Sequence, residues 1–197
     1  MTKAMTPASA MSGDHPGAII LPYQDKTPVI HPTAFIAPGA VVAGDVEIGE
    51  NVSVWFNVTI RGDVAAVRIG AGSNIQDGTV VHVDTGAPCL VGERATVGHG
   101  AILHGTVIGD GVTIGMGAVV LSWSRVGDGA IVAAGALVPE RTDIRAGVVA
   151  VGVPARERGP ISEERRKVLD NAAERYVGYA REYRRVLNGE HADAGSG

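Results

Sequence analysis

Two histidines, His99 and His104, lie five residues apart in the small, aliphatic stretch VGHGAILHG (97–105). Imidazole serves in proteins as a metal ligand and as a general base. A separation of five fits neither the i, i+4 spacing of a helical zinc motif nor the even offset that places two side chains on one face of a strand. If both histidines serve one kind of site, a larger repeat must bring them there.

Such a repeat runs through the middle of the chain. Aliphatic residues recur at six-residue steps from Ile36 to Val138, with two insertions and one five-residue step from Leu103 to Ile108, and glycine often follows them. A period of six is not helical, and 28 glycines in 197 residues are too many poor helix formers for a helical bundle. Hexapeptide repeats are typical of parallel β-helices. The sequence therefore predicts a mainly β fold, a parallel β-helix of hexapeptide repeats over 18–158, followed by a C-terminal α-helix. The resemblance of the repeat to known hexapeptide β-helices implies that it is a left-handed parallel β-helix.

The repeat allows the chemically active residues to be placed on coils. In left-handed β-helices of this kind three hexads complete one coil, so residues 18 positions apart (three times six) lie on neighbouring strands about 4.8 Å apart. The insertions add four residues over 81–91 and three over 60–69. After this correction two columns of stacked residues result: Arg61, His82 and His104 in one, and Asp77 and His99 in the other.

The first column predicts half of a metal site. Tetrahedral zinc places its ligand nitrogens roughly 3.3 Å apart, a distance that His82 and His104 can meet from neighbouring coils. His99 cannot join them within one chain, because five extended residues span about 16 Å and the odd offset turns its side chain the other way. A second copy can supply it. We therefore expect a homotrimer with three equivalent sites, each built from His82 and His104 of one subunit and His99 of the next.

Composition excludes several other classes of protein. The net charge of −4 and the absence of a basic, aromatic patch argue against nucleic acid as a partner. The sequence has no apolar run long enough to span a bilayer or to form the core of a signal peptide, so a cytoplasmic protein is expected. The single cysteine, Cys89, excludes intrachain disulfides and cysteine-based zinc sites, and we expect it to be a buried thiol.

The two ends of the chain differ from the repeat. Residues 1–17 and 189–197 are predicted to be disordered tails, which makes His15 and His191 solvated bystanders. Between them, 159–188 is predicted to form a helix that packs on the β-helix, with Ser162 as its N-cap. Its apolar face has helical spacing and comprises Leu169, Ala173, Tyr176, Ala180, Tyr183 and Leu187.

With these residues placed, the sequence resembles the γ-class carbonic anhydrases, a family of left-handed β-helical zinc proteins. Four stretches carry the resemblance: RGD (61–63), NIQDGTVVH (74–82), VGHGAILHG (97–105) and IGMGAVV (114–120). The resemblance implies a homotrimer in which His82, His99 and His104 bind Zn²⁺, with Fe²⁺ or Co²⁺ also compatible with imidazole ligands. A metal-bound hydroxide would then attack CO₂ and form bicarbonate.

The resemblance also implies roles for neighbouring residues. Arg61 and Asp63 would form an ion-pair network across the subunit interface, and Asp77 would join it. Gln76 would hydrogen-bond the metal-bound water or hydroxide, and Tyr176 would lie beside the site.

The sequence departs from the active prototype of that family at the proton shuttle. Val64 stands where the prototype has a glutamate, and the short VDTGAPC (83–89) replaces a long acidic loop. Asp84 and Glu93 are the nearest substitutes, and Glu174 stands where an asparagine often precedes the tyrosine. These departures predict slow turnover.

Two other functions fit parts of the sequence. GVPAR (152–156) resembles the turn that ends the coils of many hexapeptide acyltransferases, enzymes that use acyl-CoA and a single catalytic histidine. The same residues also fit a non-catalytic, trimeric metal-binding scaffold.

Overall fold

The computed structural model describes residues 15–190, without the side chains of 165–171. Within this range the chain forms twenty short strands and then one helix, α1 (Glu163–Leu187). The strands are β1 (Ile19–Leu21), β2 (Val29–Ile30), β3 (Phe35–Ile36), β4 (Val41–Ile48), β5 (Ser53–Val54), β6 (Thr59–Ile69), β7 (Asn74–Ile75), β8 (Val80–His82), β9 (Cys89–Val91), β10 (Thr96–Val97), β11 (Ile102–His104), β12 (Val107–Ile108), β13 (Thr113–Ile114), β14 (Val119–Val120), β15 (Arg125–Val126), β16 (Ile131–Val132), β17 (Leu137–Val138), β18 (Asp143–Ile144), β19 (Val148–Val151) and β20 (Arg156–Pro160).

The strands make a three-sided prism because each pairs in parallel with the strand one coil away. One face contains β8, β11, β14 and β17, and a second contains β9, β12, β15 and β18. The long strands β4 and β6 turn the corner between these two faces and join them into one 12-stranded sheet. The third face stacks seven parallel strands, one per coil, and ends with the antiparallel β20. The predicted left-handed β-helix with a C-terminal helix is confirmed.

The core is a column of aliphatic side chains along the prism axis. On the first face the inward residues stack in register, Ile60 on Val81 and Leu103 on Val120. All four are completely buried. Small residues at the corners, such as Ala95 and Ala130, are buried as well, which lets the three faces meet closely.

The two insertions lie at the corner between the first and second faces, and the structure accommodates them differently. In β6 the extra residues form a bulge, because Gly44 pairs with Gly62 while Val46 pairs with Val67. After β8 the chain makes a tight hairpin over 84–87, closed by two backbone hydrogen bonds between Asp84 and Ala87 of 2.9 and 3.1 Å. Neither insertion disturbs the coils above and below.

Helix α1 packs on the first coils through aromatic side chains. It begins at Glu163, directly after Ser162, and β20, which the sequence did not predict, precedes it. Ala173 and Ala180 of the predicted apolar face are buried, and Tyr183 contacts Trp55 with ring centroids 5.4 Å apart although it remains partly exposed. The side chain of Leu169 lies outside the described part of the chain.

Arg184 fixes the end of the helix to the first coil. Its guanidinium donates hydrogen bonds to the backbone carbonyls of Pro32, Thr33 and Ala34. Because a guanidinium carries five donors in a fixed plane, it can satisfy several carbonyls of one turn at once.

His15 is not a solvated bystander as predicted. It is only 7% exposed and lines a small cavity with Phe35, Arg184 and Leu187. The prediction was wrong because the end of α1 covers the first coil, which the local composition of the tail does not reveal. Residues 1–14 and 191–197, with His191, lie outside the described range, and no helix within 15–190 is long and apolar enough to cross a membrane.

The buried thiol of Cys89 gives a direct test of the packing. Cys89 is fully buried, and this burial raises the pKa of its thiol to about 12. We expect it to resist a thiol-specific reagent at neutral pH in the native protein and to react fully in denaturant, because the thiolate is the reactive form. Rapid labelling of the native protein would contradict the packing around β9.

Candidate metal centre

The two histidines of the first predicted column, His82 and His104, stack in the structure. His82 at the end of β8 pairs in register with His104 at the end of β11. Their ring centroids are 5.1 Å apart, and Nδ1 of His82 lies 3.2 Å from Nε2 of His104. This separation is close to the roughly 3.3 Å between two ligand nitrogens of a tetrahedral zinc ion. The two rings therefore fit two positions of such a site.

The other nitrogen of each ring is held by a neighbour. Nε2 of His82 lies 3.0 Å from Oδ1 of Asp63, and Nδ1 of His104 lies 2.8 Å from Oγ of Ser122. A carboxylate only accepts, so neutral His82 carries its proton on Nε2. If His104 likewise donates to Ser122, the two nitrogens that face each other both present lone pairs. Lone pairs at this distance repel unless a cation lies between them, so the arrangement suits a metal ion.

The bulge in β6 brings Asp63 to His82. Asp63 also forms an ion pair with Arg61 and accepts a 2.9 Å hydrogen bond from the backbone N–H of Val64. Burial alone would raise the pKa of Asp63, but the hydrogen bond from His82 and the charge of Arg61 outweigh it and hold the pKa below its ordinary value. Asp63 therefore stays ionised at neutral pH and can orient the ring of His82.

The second column lies at the corner between the third and first faces. Nδ1 of His99 is 2.9 Å from Oδ2 of Asp77, and the His99 side chain is 47% exposed. Among the described residues, no group of three histidine, cysteine, aspartate or glutamate side chains is close enough to hold a metal ion. One chain thus brings together two histidines, and the third points outward from another corner.

A buried amide network lies one coil below His99. Gln76, whose role toward a metal-bound water stays a prediction, donates a 3.0 Å hydrogen bond to Oδ1 of Asn74. Asn74 in turn donates to Oγ1 of Thr96 at 2.9 Å. Sequence reasoning missed Asn74, although its position two residues before Gln76 puts both side chains on the same side of the strand.

Tyr176 of α1 lies on the same side of the molecule. Its ring packs edge-on against Trp55, with centroids 5.5 Å apart. Burial raises the pKa of its phenol above the ordinary value, and the nearby Asp77 carboxylate raises it further. The charge of Asp77 therefore acts on Tyr176. Glu174, two residues earlier in the helix, is exposed.

The two substitute acids have different surroundings. Asp84 accepts a 3.4 Å hydrogen bond from the hydroxyl of Ser122, which links it to His104. Glu93 follows β9, at the corner between the second and third faces, where it forms an exposed pair with Arg94. Sequence reasoning missed Ser122, although continuing the column count by one coil beyond His104 reaches the turn that contains it.

Comparison with known proteins agrees with this architecture. A family model described as bacterial transferase hexapeptide (six repeats) matches residues 27–62 and 105–140, so the coils are those of a hexapeptide-repeat protein. Gamma carbonic anhydrase 1, mitochondrial, of Arabidopsis thaliana is 38% identical over 187 residues, covering 85% of this chain and 68% of the relative. The carbonic anhydrase of Geobacillus kaustophilus is 39% identical over 159 residues, covering 81% of this chain and 87% of the relative.

A solved structure gives a further comparison. A hexapeptide transferase family protein from Anaplasma phagocytophilum superimposes with a TM-score of 0.81 at 36% identity, covering 84% of this chain and 98% of that chain. Together with the two carbonic anhydrases, it defines the class as hexapeptide-repeat β-helix proteins. Within that class the chain belongs to the γ-class carbonic anhydrase-like family.

The electrostatic interaction between Tyr176 and Asp77 can be tested by titration. We expect the phenol of Tyr176 to ionise above the ordinary range, so the stability it contributes is complete below the tyrosine pKa of about 10 and is lost as the pH rises further. Asp77→Asn should lower this pKa, read as phenolate absorbance after subtraction of the Tyr176→Phe curve. An unchanged curve in Asp77→Asn would contradict the electrostatic interaction.

Proposed function

We propose that the protein catalyses the reversible hydration of CO₂ to bicarbonate at a metal site shared between subunits of a homotrimer. His82 and His104 of one subunit and His99 of the next would hold the metal, which is Zn²⁺ or, with the same ligands, Fe²⁺ or Co²⁺. The observation that carries the proposal is the facing pair of ring nitrogens, 3.2 Å apart, each ring held from behind by a hydrogen-bond partner.

A bound divalent metal supplies a low-pKa water, and therefore a nucleophile at neutral pH. The residues of the chain orient that chemistry. Asp63 and Ser122 hold the two rings, Asp77 holds His99, and the Asn74–Gln76 pair provides amide groups beside the second column. The transferase alternative needs only one histidine, which acts as a base. It would leave the second histidine of the pair, and the hydrogen-bond partners behind it, without a role.

The proposed turnover is slow because neither candidate acid, Asp84 or Glu93, has a carboxylate oxygen without a partner beside the described histidines. Asp84 uses Oδ1 to cap the backbone N–H of Thr85 at 2.8 Å and Oδ2 to accept from Ser122. Glu93 lies at a different corner of the prism, and Val64, in the position of the prototype's glutamate, is exposed and apolar.

The outer surface of the first face supports the trimer. Its outward side chains form an apolar ladder in register with a single polar member: Ile19, Val41, Thr59, Val80, Ile102, Val119 and Leu137. The equivalent ladder on the second face is mixed, with four charged members among three apolar ones: Val29, Glu47, Arg68, Leu90, Val107, Arg125 and Asp143. An apolar face of this kind favours burial against another copy. Because it lies between the two histidine corners, packing there would bring the corners of different subunits together.

The shared site predicts complementation between inactive variants. His82→Ala and His99→Ala should each lose bound metal and CO₂ hydration. In trimers that contain both variants, some interfaces carry all three ligands, because the His99→Ala subunit supplies His82 and His104 and the His82→Ala subunit supplies His99. With random mixing in equal amounts, each side of an interface is the required variant half of the time, so roughly a quarter of the interfaces are complete. We expect about that fraction of zinc content and hydration rate to return.

A matched pair of variants provides the control. His82→Ala and His104→Ala change the same half of the site, so their mixture should recover nothing. Recovery in both mixtures, or in neither, would contradict a site shared in this way.

Assays with acetyl-CoA on the wild-type protein test the transferase alternative, and acyl transfer without stoichiometric metal would replace the proposed function. A metal-loaded trimer with no hydration activity would indicate the scaffold.

The ladder predicts which surface holds the trimer. Ile102 is 39% exposed in the single chain, and Ile102→Glu places a charge in the middle of the proposed interface. We expect this variant to be monomeric and metal-poor by light scattering and metal analysis. Val29→Glu, on the outer side of the second face, should remain trimeric. A trimeric Ile102→Glu variant would overturn the assignment of this face.

A further inference from the structure

We infer that Ser122, backed by Asp84, is a positioning residue that fixes the protonation and angle of the His104 ring. The inference rests on the proposed function, since it assigns Ser122 to the ring that would bind the metal. Ser122 follows β14, one coil beyond His104, and is only 2% exposed. Its hydroxyl lies 2.8 Å from Nδ1 of His104, so the two groups form a hydrogen bond within a buried turn.

The direction of this hydrogen bond follows from the third member of the chain. A hydroxyl has one proton, and Ser122 donates it to Oδ2 of Asp84 at 3.4 Å. We therefore assign the ring proton of His104 to Nδ1, so that Ser122 accepts from His104 while it donates to Asp84. Nε2 of His104 is left with its lone pair toward Nδ1 of His82, the nitrogen 3.2 Å away.

The hairpin insertion places Asp84 for this contact. Asp84 and Ala87 close the hairpin through their backbones, and Oδ1 of Asp84 caps the N–H of Thr85 at 2.8 Å. Only Oδ2 remains, and it faces Ser122. The four extra residues that interrupt the hexapeptide repeat thus add an acceptor behind His104 that a regular corner would lack.

Gly105 keeps the three groups close together. It follows His104 directly and has a φ of +55°, a conformation that favours glycine. A Cβ at this position would lie 3.0 Å from the Ala87 Cβ and 3.1 Å from the Ser122 hydroxyl. A side chain at residue 105 would require Ala87 or Ser122 to shift by a few tenths of an ångström, so glycine at this position leaves the hydrogen-bond chain undisturbed.

The two rings of the first column are held by different chemistry. His82 donates directly to the ionised Asp63, whereas His104 reaches a carboxylate only through a neutral hydroxyl. Partners behind a metal-binding imidazole typically change metal affinity by about 10- to 100-fold. Ser122 therefore contributes to metal binding without touching the metal itself.

Metal affinity tests the inference independently of catalysis. The zinc dissociation constant is measured by competition with a chromophoric chelator, and the ligand geometry by the absorption spectrum of the Co²⁺-loaded protein. We expect Ser122→Ala to weaken zinc binding by about 10-fold or more and to change the cobalt spectrum. Ser122→Thr, which keeps the hydroxyl, should restore both, and Asp84→Ala should give a smaller loss. Thr85→Ala, an exposed change in the same hairpin, is the control.

The outcomes separate this inference from the proposed function. Wild-type affinity and an unchanged cobalt spectrum in Ser122→Ala would overturn the role of Ser122 while leaving the shared metal site intact. A lower melting temperature of metal-free Ser122→Ala, not rescued by Ser122→Thr, would mean that the residue serves packing alone and would also overturn it. A wild-type trimer that binds no stoichiometric zinc or cobalt would overturn both proposals together.

Discussion

Parallel pairing between successive coils is the constraint on which the rest of the structure depends. Each strand must meet the strand one coil away in register, about 4.8 Å distant, with one aliphatic side chain pointing to the axis. These side chains fill the axis of the prism, and buried hydroxyls, such as those of Thr79 and Thr106, are hydrogen-bonded to backbone carbonyls. Functional side chains are confined to the corners and outer faces, where register still brings residues of different coils into contact, as it does for His82 and His104.

The same constraint explains why both insertions are found at one corner. Extra residues inside a face would shift the inward side chains of every later strand out of the core. At the corner they can leave the coil, as a bulge in β6 and as a hairpin after β8. The bulge places Asp63 within hydrogen-bond distance of His82, and the hairpin places Asp84 within hydrogen-bond distance of Ser122. The departures from the repeat therefore lie where the polar neighbours of the two rings are needed.

The sequence predicts those features that follow from period and register. The six-residue step predicts the β-helix. Counting residues after removal of the insertions predicts the His82–His104 and Asp77–His99 columns, because backbone pairing between coils sets which residues are neighbours whatever their side chains. Features set by packing across elements are not predictable in this way. The burial of His15 depends on where α1 ends, and the contact of Ser122 with Asp84 depends on how tightly a hairpin folds back over Gly105.

A site divided between two corners couples metal binding to assembly in the proposed trimer. Within residues 15–190 a single chain offers His82 and His104 at one corner and His99 at another, and neither set alone completes a metal site. A metal that binds the trimer better than the separate subunits must stabilise the trimer by the same free energy, by linkage. In the proposed trimer the apolar ladder would bring the subunits together without metal, and the hydrogen bonds behind the rings would reduce the reorganisation needed when the third histidine arrives. Metal affinity and trimer stability would then be one property of the interface, set by Asp63, Ser122 and Asp77 as much as by the histidines.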